Sequence, residues 1–126
     1  PHPLMTFRKI HSFGARIGFA LSPCTSLSQY EYCLQYIDEL LIMSVEPGFG
    51  GQRFAEHTFK KIEEARCLMK KLGIRIPIGV DGGINAELAL RLAKAGVSKL
   101  VIGSAIFAEK NITENVSAIR AILKGF

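Results

Sequence analysis

Glu39-Leu40-Leu41-Ile42-Met43-Ser44-Val45-Glu46-Pro47-Gly48-Phe49-Gly50-Gly51 is the stretch on which the fold turns. Glu39 to Val45 is short and apolar without a helical stripe, which reads as a strand. The glycine-rich loop from Pro47 to Gly51 leads into a long helix, because Phe59, Ile62, Ala65, Met69 and Leu72 recur on one face. Strand, glycine loop and amphipathic helix together make a βα unit.

The unit recurs on both sides. Upstream, Leu4 to Phe13 reads as a helix with Phe7 and Ile10 on one face and Gly14 as a left-handed cap. A strand from Arg16 to Leu21 follows, mostly apolar and ended by Ser22-Pro23, as expected of a strand buried on both faces in a parallel sheet. Ser28-x-x-Glu31 then offers a capping box for a second helix, with Tyr30, Cys33 or Leu34, and Ile37 inward. Downstream, Ile76 to Val80 is the third strand, followed by Asp81-Gly82-Gly83 and a helix from about Ala86 to Ala95. Lys99 to Ile102 is the fourth, followed by Gly103-Ser104 and a final helix with Val116, Ile119 and Leu123 inward. Alternating strands and helices imply a parallel sheet. Residues 1–126 form a single partial domain of four βα units preceded by one helix, about half of a typical ~250-residue (β/α)8 TIM barrel. A small open α/β sheet is the competing architecture. The first residues are not methionine and read as an opening helical turn, so the sequence is expected to start in mid-domain.

Composition excludes several classes. With 48% hydrophobic and 21% charged residues, the chain has enough apolar material for a core and is not disordered. No apolar run reaches the ~18–20 residues that cross a bilayer, so no membrane partner and a cytoplasmic location are expected. The cysteines Cys24, Cys33 and Cys67 form no C-x-x-C pair and read as small buried hydrophobes. The net charge of +5 comes from scattered residues such as Lys60, Lys61, Lys70 and Lys71, a solvated-face pattern. No nucleic-acid partner is expected; the excess instead suits a phosphorylated, anionic ligand.

In such folds the site lies at the carboxyl ends of the strands. Three of the four ends are glycine-rich, and glycine lets backbone N–H groups approach an anion unobstructed. Gly82, Gly83, Gly103 and Ser104 fall where barrels of this kind build a phosphate site; alternatively they only make tight turns. Asp81 is either a turn former or a carboxylate on a rigid strand end that can ligate a metal, move a proton, or both. Met43 is core filler or a cover for an apolar face of a substrate. His11 and His57 lie off the strand ends and read as surface or packing residues.

Leu41 to Gln52 followed by Phe54, Val80-Asp81-Gly82-Gly83-Ile84-Asn85, and Ile102-Gly103-Ser104-Ala105-Ile106-Phe107 together resemble the ribulose-phosphate 3-epimerase family. The resemblance runs from that family's fourth helix to its C-terminus and implies the C-terminal half of a ribulose-phosphate-binding barrel. It implies epimerisation of D-ribulose 5-phosphate to D-xylulose 5-phosphate at C3, in the pentose phosphate pathway, through a metal-stabilised enediolate. Asp81 would be both an acid–base carboxylate and a ligand to one divalent ion (Zn, Fe, Mn or Co). Met43, Gly48, Phe49, Gly50, Gly51, Gly82, Gly83, Gly103 and Ser104 would hold the phosphorylated ketose. The complete form is expected to be a homo-oligomer. Ser22-Pro23-Cys24-Thr25-Ser26 departs from the family's Asn-Pro-Ala-Thr-Pro. The partner aspartate and two metal-binding histidines belong to the family's N-terminal half. A hexulose-6-phosphate 3-epimerase and a non-catalytic phosphate-binding half-barrel are the alternative readings.

Overall fold

A computed structural model describes residues 3–108 and 111–126; the opening Pro1 and His2 lie outside the described residues. The chain runs α1 (Pro3–Ser12), β1 (Gly18–Leu21), a 3-10 helix (Leu27–Tyr36), β2 (Glu39–Met43), α2 (Thr58–Leu72), β3 (Ile78–Asp81), α3 (Ala86–Lys94), β4 (Lys99–Val101), α4 (Ser104–Phe107) and α5 (Ile112–Ile122). The four strands form one parallel sheet in the order β1-β2-β3-β4. Each strand therefore pairs with the next in sequence, the order of a singly wound βα barrel.

Side-chain alternation gives the sheet two unlike faces. Leu40 and Ile42 are fully buried, and with Leu21, Ile78 and Val80 they meet the helices in a core that includes Phe7, Leu34, Ile62, Ala65, Leu88, Leu92 and Ile119. The opposite face carries Gly18, Ala20, Leu41, Met43, Gly79, Asp81, Lys99 and Val101 in register. Most of these are exposed or half-buried. The expectation that the first strand is buried on both faces thus holds on the helix side only, since Gly18 and Ala20 are exposed. The reason is geometric: in a closed barrel the second face is filled by side chains from across the lumen.

Several boundaries differ from the sequence reading. β1 begins at Gly18 rather than Arg16, although Ile17 is buried. β3 begins at Ile78, after Pro77, which has no N–H to give the ladder. β2 ends at Met43; the chain bends at Ser44, whose N–H still donates to the Asp81 carbonyl at 2.8 Å. The second helix is 3-10, and its capping box does not form: Ser28 pairs with the Ser26 hydroxyl at 2.8 Å and Glu31 with Lys71 at 2.9 Å. Gly14 does take the expected left-handed conformation, with φ 72°. The last unit carries the short α4 before α5, a break the periodicity did not mark.

The cysteine and lysine readings also need correcting. Only Cys33 is buried, which pushes its thiol up, while Cys24 and Cys67 are exposed. Lys61 is not on a solvated face. It is 7% exposed, and its Nζ donates to the Ser22 and Pro23 carbonyls at 2.8 and 2.6 Å. Burial pulls its ammonium below the usual lysine range, against the charges of Cys24, Glu64 and Glu46.

Candidate active site

The carboxyl ends of β2, β3 and β4 lie side by side, with Met43 opposite Asp81 and Asp81 opposite Val101 in the strand register. These three side chains share the open face, so Asp81 stands between an apolar thioether and an apolar valine at the rim. Above them is a cavity of about 360 Å³ whose lining includes every residue singled out for the site: Met43, Gly48, Phe49, Gly50, Gly51, Asp81, Gly82, Gly83, Gly103 and Ser104. Residues more than 60 positions apart in the chain meet there because the sheet aligns its strand ends. Phe49 is 73% exposed on the loop above the cavity.

Side chains that the sequence reading missed hold this arrangement. Ser44, fully buried, has its Oγ 2.8 Å from the Asp81 carbonyl and 2.6 Å from that of Gly82. Gln52 Nε2 donates to the Glu46 and Phe49 carbonyls at 2.7 and 2.8 Å, closing the glycine-rich loop on itself. Val45, Glu46, Pro47 and Val101 complete the wall. The Asp81-Gly82-Gly83 turn is packed so closely that only glycine fits. Gly82 has φ +119° and a Cβ there would strike Val45; Gly83 has φ +63° and a Cβ would lie 2.6 Å from the Phe54 nitrogen. Around Gly103, by contrast, there is open space.

Among the described residues, the backbone N–H groups of Gly82, Gly83, Gly103 and Ser104 have no backbone carbonyl as acceptor. Donors grouped in this way at a concave surface suit an anion. α4 has only one turn, so it contributes N–H groups rather than a substantial helix dipole. Asp81 offers a hard oxygen to a cation, but no three His, Cys, Asp or Glu side chains among the described residues assemble into a metal site. The residues present therefore do not by themselves fit a divalent ion. His57 stays away from this cavity, 3.2 Å from the Pro23 carbonyl, and His11 lies 3.6 Å from Asp38; both agree with packing or surface roles.

Residues 1–107 match the model of the ribulose-phosphate 3 epimerase family. The chain belongs to this family. Ribulose-5-phosphate-3-epimerase, chloroplastic, of Arabidopsis thaliana is 43% identical over 120 residues, covering 95% of this chain and 43% of the relative. Ribulose-phosphate 3-epimerase of Methanocaldococcus jannaschii is 40% identical over 118 residues, covering 94% and 50%. The chain thus spans about half the length of the curated relatives it matches. Among solved structures, 3-hexulose-6-phosphate synthase from Salmonella typhimurium superposes with a TM-score of 0.63 at 19% identity, over 92% of this chain and 53% of that one. That likeness concerns the fold alone. For this member of the epimerase family, half of an α/β barrel is the architecture, and no helix among the described residues is long and apolar enough to cross a membrane.

Proposed function

We propose that this chain forms the phosphate-binding and one-carboxylate side of an epimerase acting at C3 of D-ribulose 5-phosphate to give D-xylulose 5-phosphate. The observation that carries the proposal is the meeting of Asp81, Met43 and the glycine-rich strand ends on one cavity in a chain of this family. The free N–H groups of Gly82, Gly83, Gly103 and Ser104 bind the phosphate, and Met43 lies along the apolar face of the sugar carbons. Gly48 to Gly51, with Phe49 above them, cover the substrate.

Asp81 exchanges a proton with C3. Loss of the C3 proton leaves the electron pair in a 2,3-enediolate, and inversion requires the returning proton to come from the opposite face. A single rigid carboxylate serves one face, so the second acid–base group lies in the part of the family's length this chain does not span. The same holds for a divalent ion: Asp81 is proposed as one of its ligands, the others coming from beyond this chain. A cytoplasmic setting remains part of the proposal.

The test is an assay of the full-length protein with D-ribulose 5-phosphate in D2O. Conversion to D-xylulose 5-phosphate with deuterium at C3 is the expected result. No conversion, or conversion without exchange, would remove the proposal.

A further inference from the structure

The buried Ser44 hydroxyl has one proton and two carbonyls within reach, Asp81 O at 2.8 Å and Gly82 O at 2.6 Å. They do not compete equally. Asp81 O already accepts the Ser44 backbone N–H at 2.8 Å, whereas no other donor to Gly82 O is found among the described residues. The hydroxyl proton is therefore best used on Gly82 O. That bond fixes the plane of the Gly82–Gly83 peptide.

This peptide is the one most in need of fixing. It joins two glycines with φ +119° and +63°, and without Cβ atoms a peptide plane can rotate between turn types at small steric cost. In a trans peptide the C=O and N–H point in opposite directions. Tying Gly82 O to Ser44 thus aims the Gly83 N–H away from Ser44, and a flipped peptide would present a carbonyl oxygen where that donor was. For an anion the difference is between a donor and a repelling acceptor.

We propose that Ser44 is a positioning residue that locks the Gly82–Gly83 peptide with the Gly83 N–H turned toward the phosphate. The inference rests on the phosphate assignment made above. Ser44 touches neither substrate nor reacting atoms; it acts through the backbone it holds.

The experiment is competitive inhibition of the full-length enzyme by inorganic phosphate, comparing wild type, Ser44→Ala and Ser44→Cys, with folding followed by Tm. Ser44→Ala should raise the phosphate Ki about tenfold, the worth of one hydrogen bond to a charged group, and raise the KM for ribulose 5-phosphate in parallel. Ser44→Cys, a near-isostere with a weak S–H donor, should fall between and serves where the alanine variant does not fold. A phosphate Ki within twofold of wild type in folded Ser44→Ala, or an unchanged Ki in Ser44→Cys where the alanine variant does not fold, overturns the inference, as does a fall in kcat with Ki unmoved, which would mean that Ser44 acts on Asp81 instead. A wild-type enzyme that turns over but is not inhibited by phosphate would sink the phosphate assignment itself, and the Ser44 inference with it.

Discussion

Asp81 is the residue on which the proposed chemistry hangs, and its surroundings separate its backbone contacts from its side chain. Its backbone carbonyl is fixed by the Ser44 N–H, while its side chain lies in the cavity with Met43 and Val101 beside it in register. Asparagine in its place keeps the backbone contacts and the turn but removes a proton carrier. In the full-length enzyme Asp81→Asn should lower kcat by at least ~10²–10⁴-fold with the Tm close to wild type; near-normal turnover would reduce Asp81 to a turn former. Asp81 and the glycines were legible in the sequence because their meaning is local: a carboxylate or a flexible backbone at a strand end. Ser44, Gln52 and Lys61 were not. Each acts by donating to backbone carbonyls, the Ser44 hydroxyl to Gly82, 38 positions away, and Lys61 to partners 39 and 38 away. Nothing in a serine after an apolar run, or in a lysine within an amphipathic helix, distinguishes those partners from water.

At the scale of elements, the βα order was legible because each unit carries its own signal: apolar run, turn residues, helical stripe. The ends were less so, since tertiary hydrogen bonds set them. The start of β1 shows this. Ile17 N–H donates to Asp38 Oδ2 at 2.6 Å, and the Ile17 carbonyl accepts from the Asp38 and Glu39 N–H groups at 2.8 and 3.1 Å. This clasp joins the chain entering β1 to the chain entering β2 before regular pairing begins at Gly18 opposite Glu39. The Ile17 N–H holds the Asp38 carboxyl below its usual range, burial opposes this, and the His11 imidazole 3.6 Å away and the charge of Arg16 lower it further. A carboxylate with a depressed folded-state pKa stabilises the fold above its unfolded value of about 3.9, and loses that contribution as pH falls through the folded value. Asp38→Ala should therefore lower the Tm of the full-length protein at pH 7, with the gap to wild type closing as the pH drops below about 4. An equal gap at pH 7 and pH 3 would show that the carboxylate charge has no part in the clasp.

The whole molecule has one covered and one open sheet face, and the proposed chemistry sits at the rim of the open one. Gly18, Ala20, Leu41, Met43 and Val101 lie on that face, and the Glu39–Lys99 ion pair, 2.9 Å long, crosses it over Gly79. β1 and β4 each pair on one side only within the described sheet, leaving two edges of the kind that invite pairing with another chain. An eight-stranded closure would cover the face and both edges together. It would also add strand ends facing Asp81 from across the lumen, the position a second acid–base group must occupy to protonate the opposite face of an enediolate. Residues 1–126 alone hold one strand-end aspartate and no cluster of three metal-ligating side chains among the described residues. Purified as such, they should show no epimerase activity and bind divalent metal poorly, whereas a chain longer by roughly 100 residues at its N-terminus, consistent with the usual size of the fold, should do both. The decisive measurement is xylulose 5-phosphate formation by the purified 126-residue chain with zinc, iron or manganese added. Sustained, metal-dependent turnover from that chain would require every catalytic group to lie between Pro1 and Phe126, and the division of labour between two half-barrels would have to be abandoned.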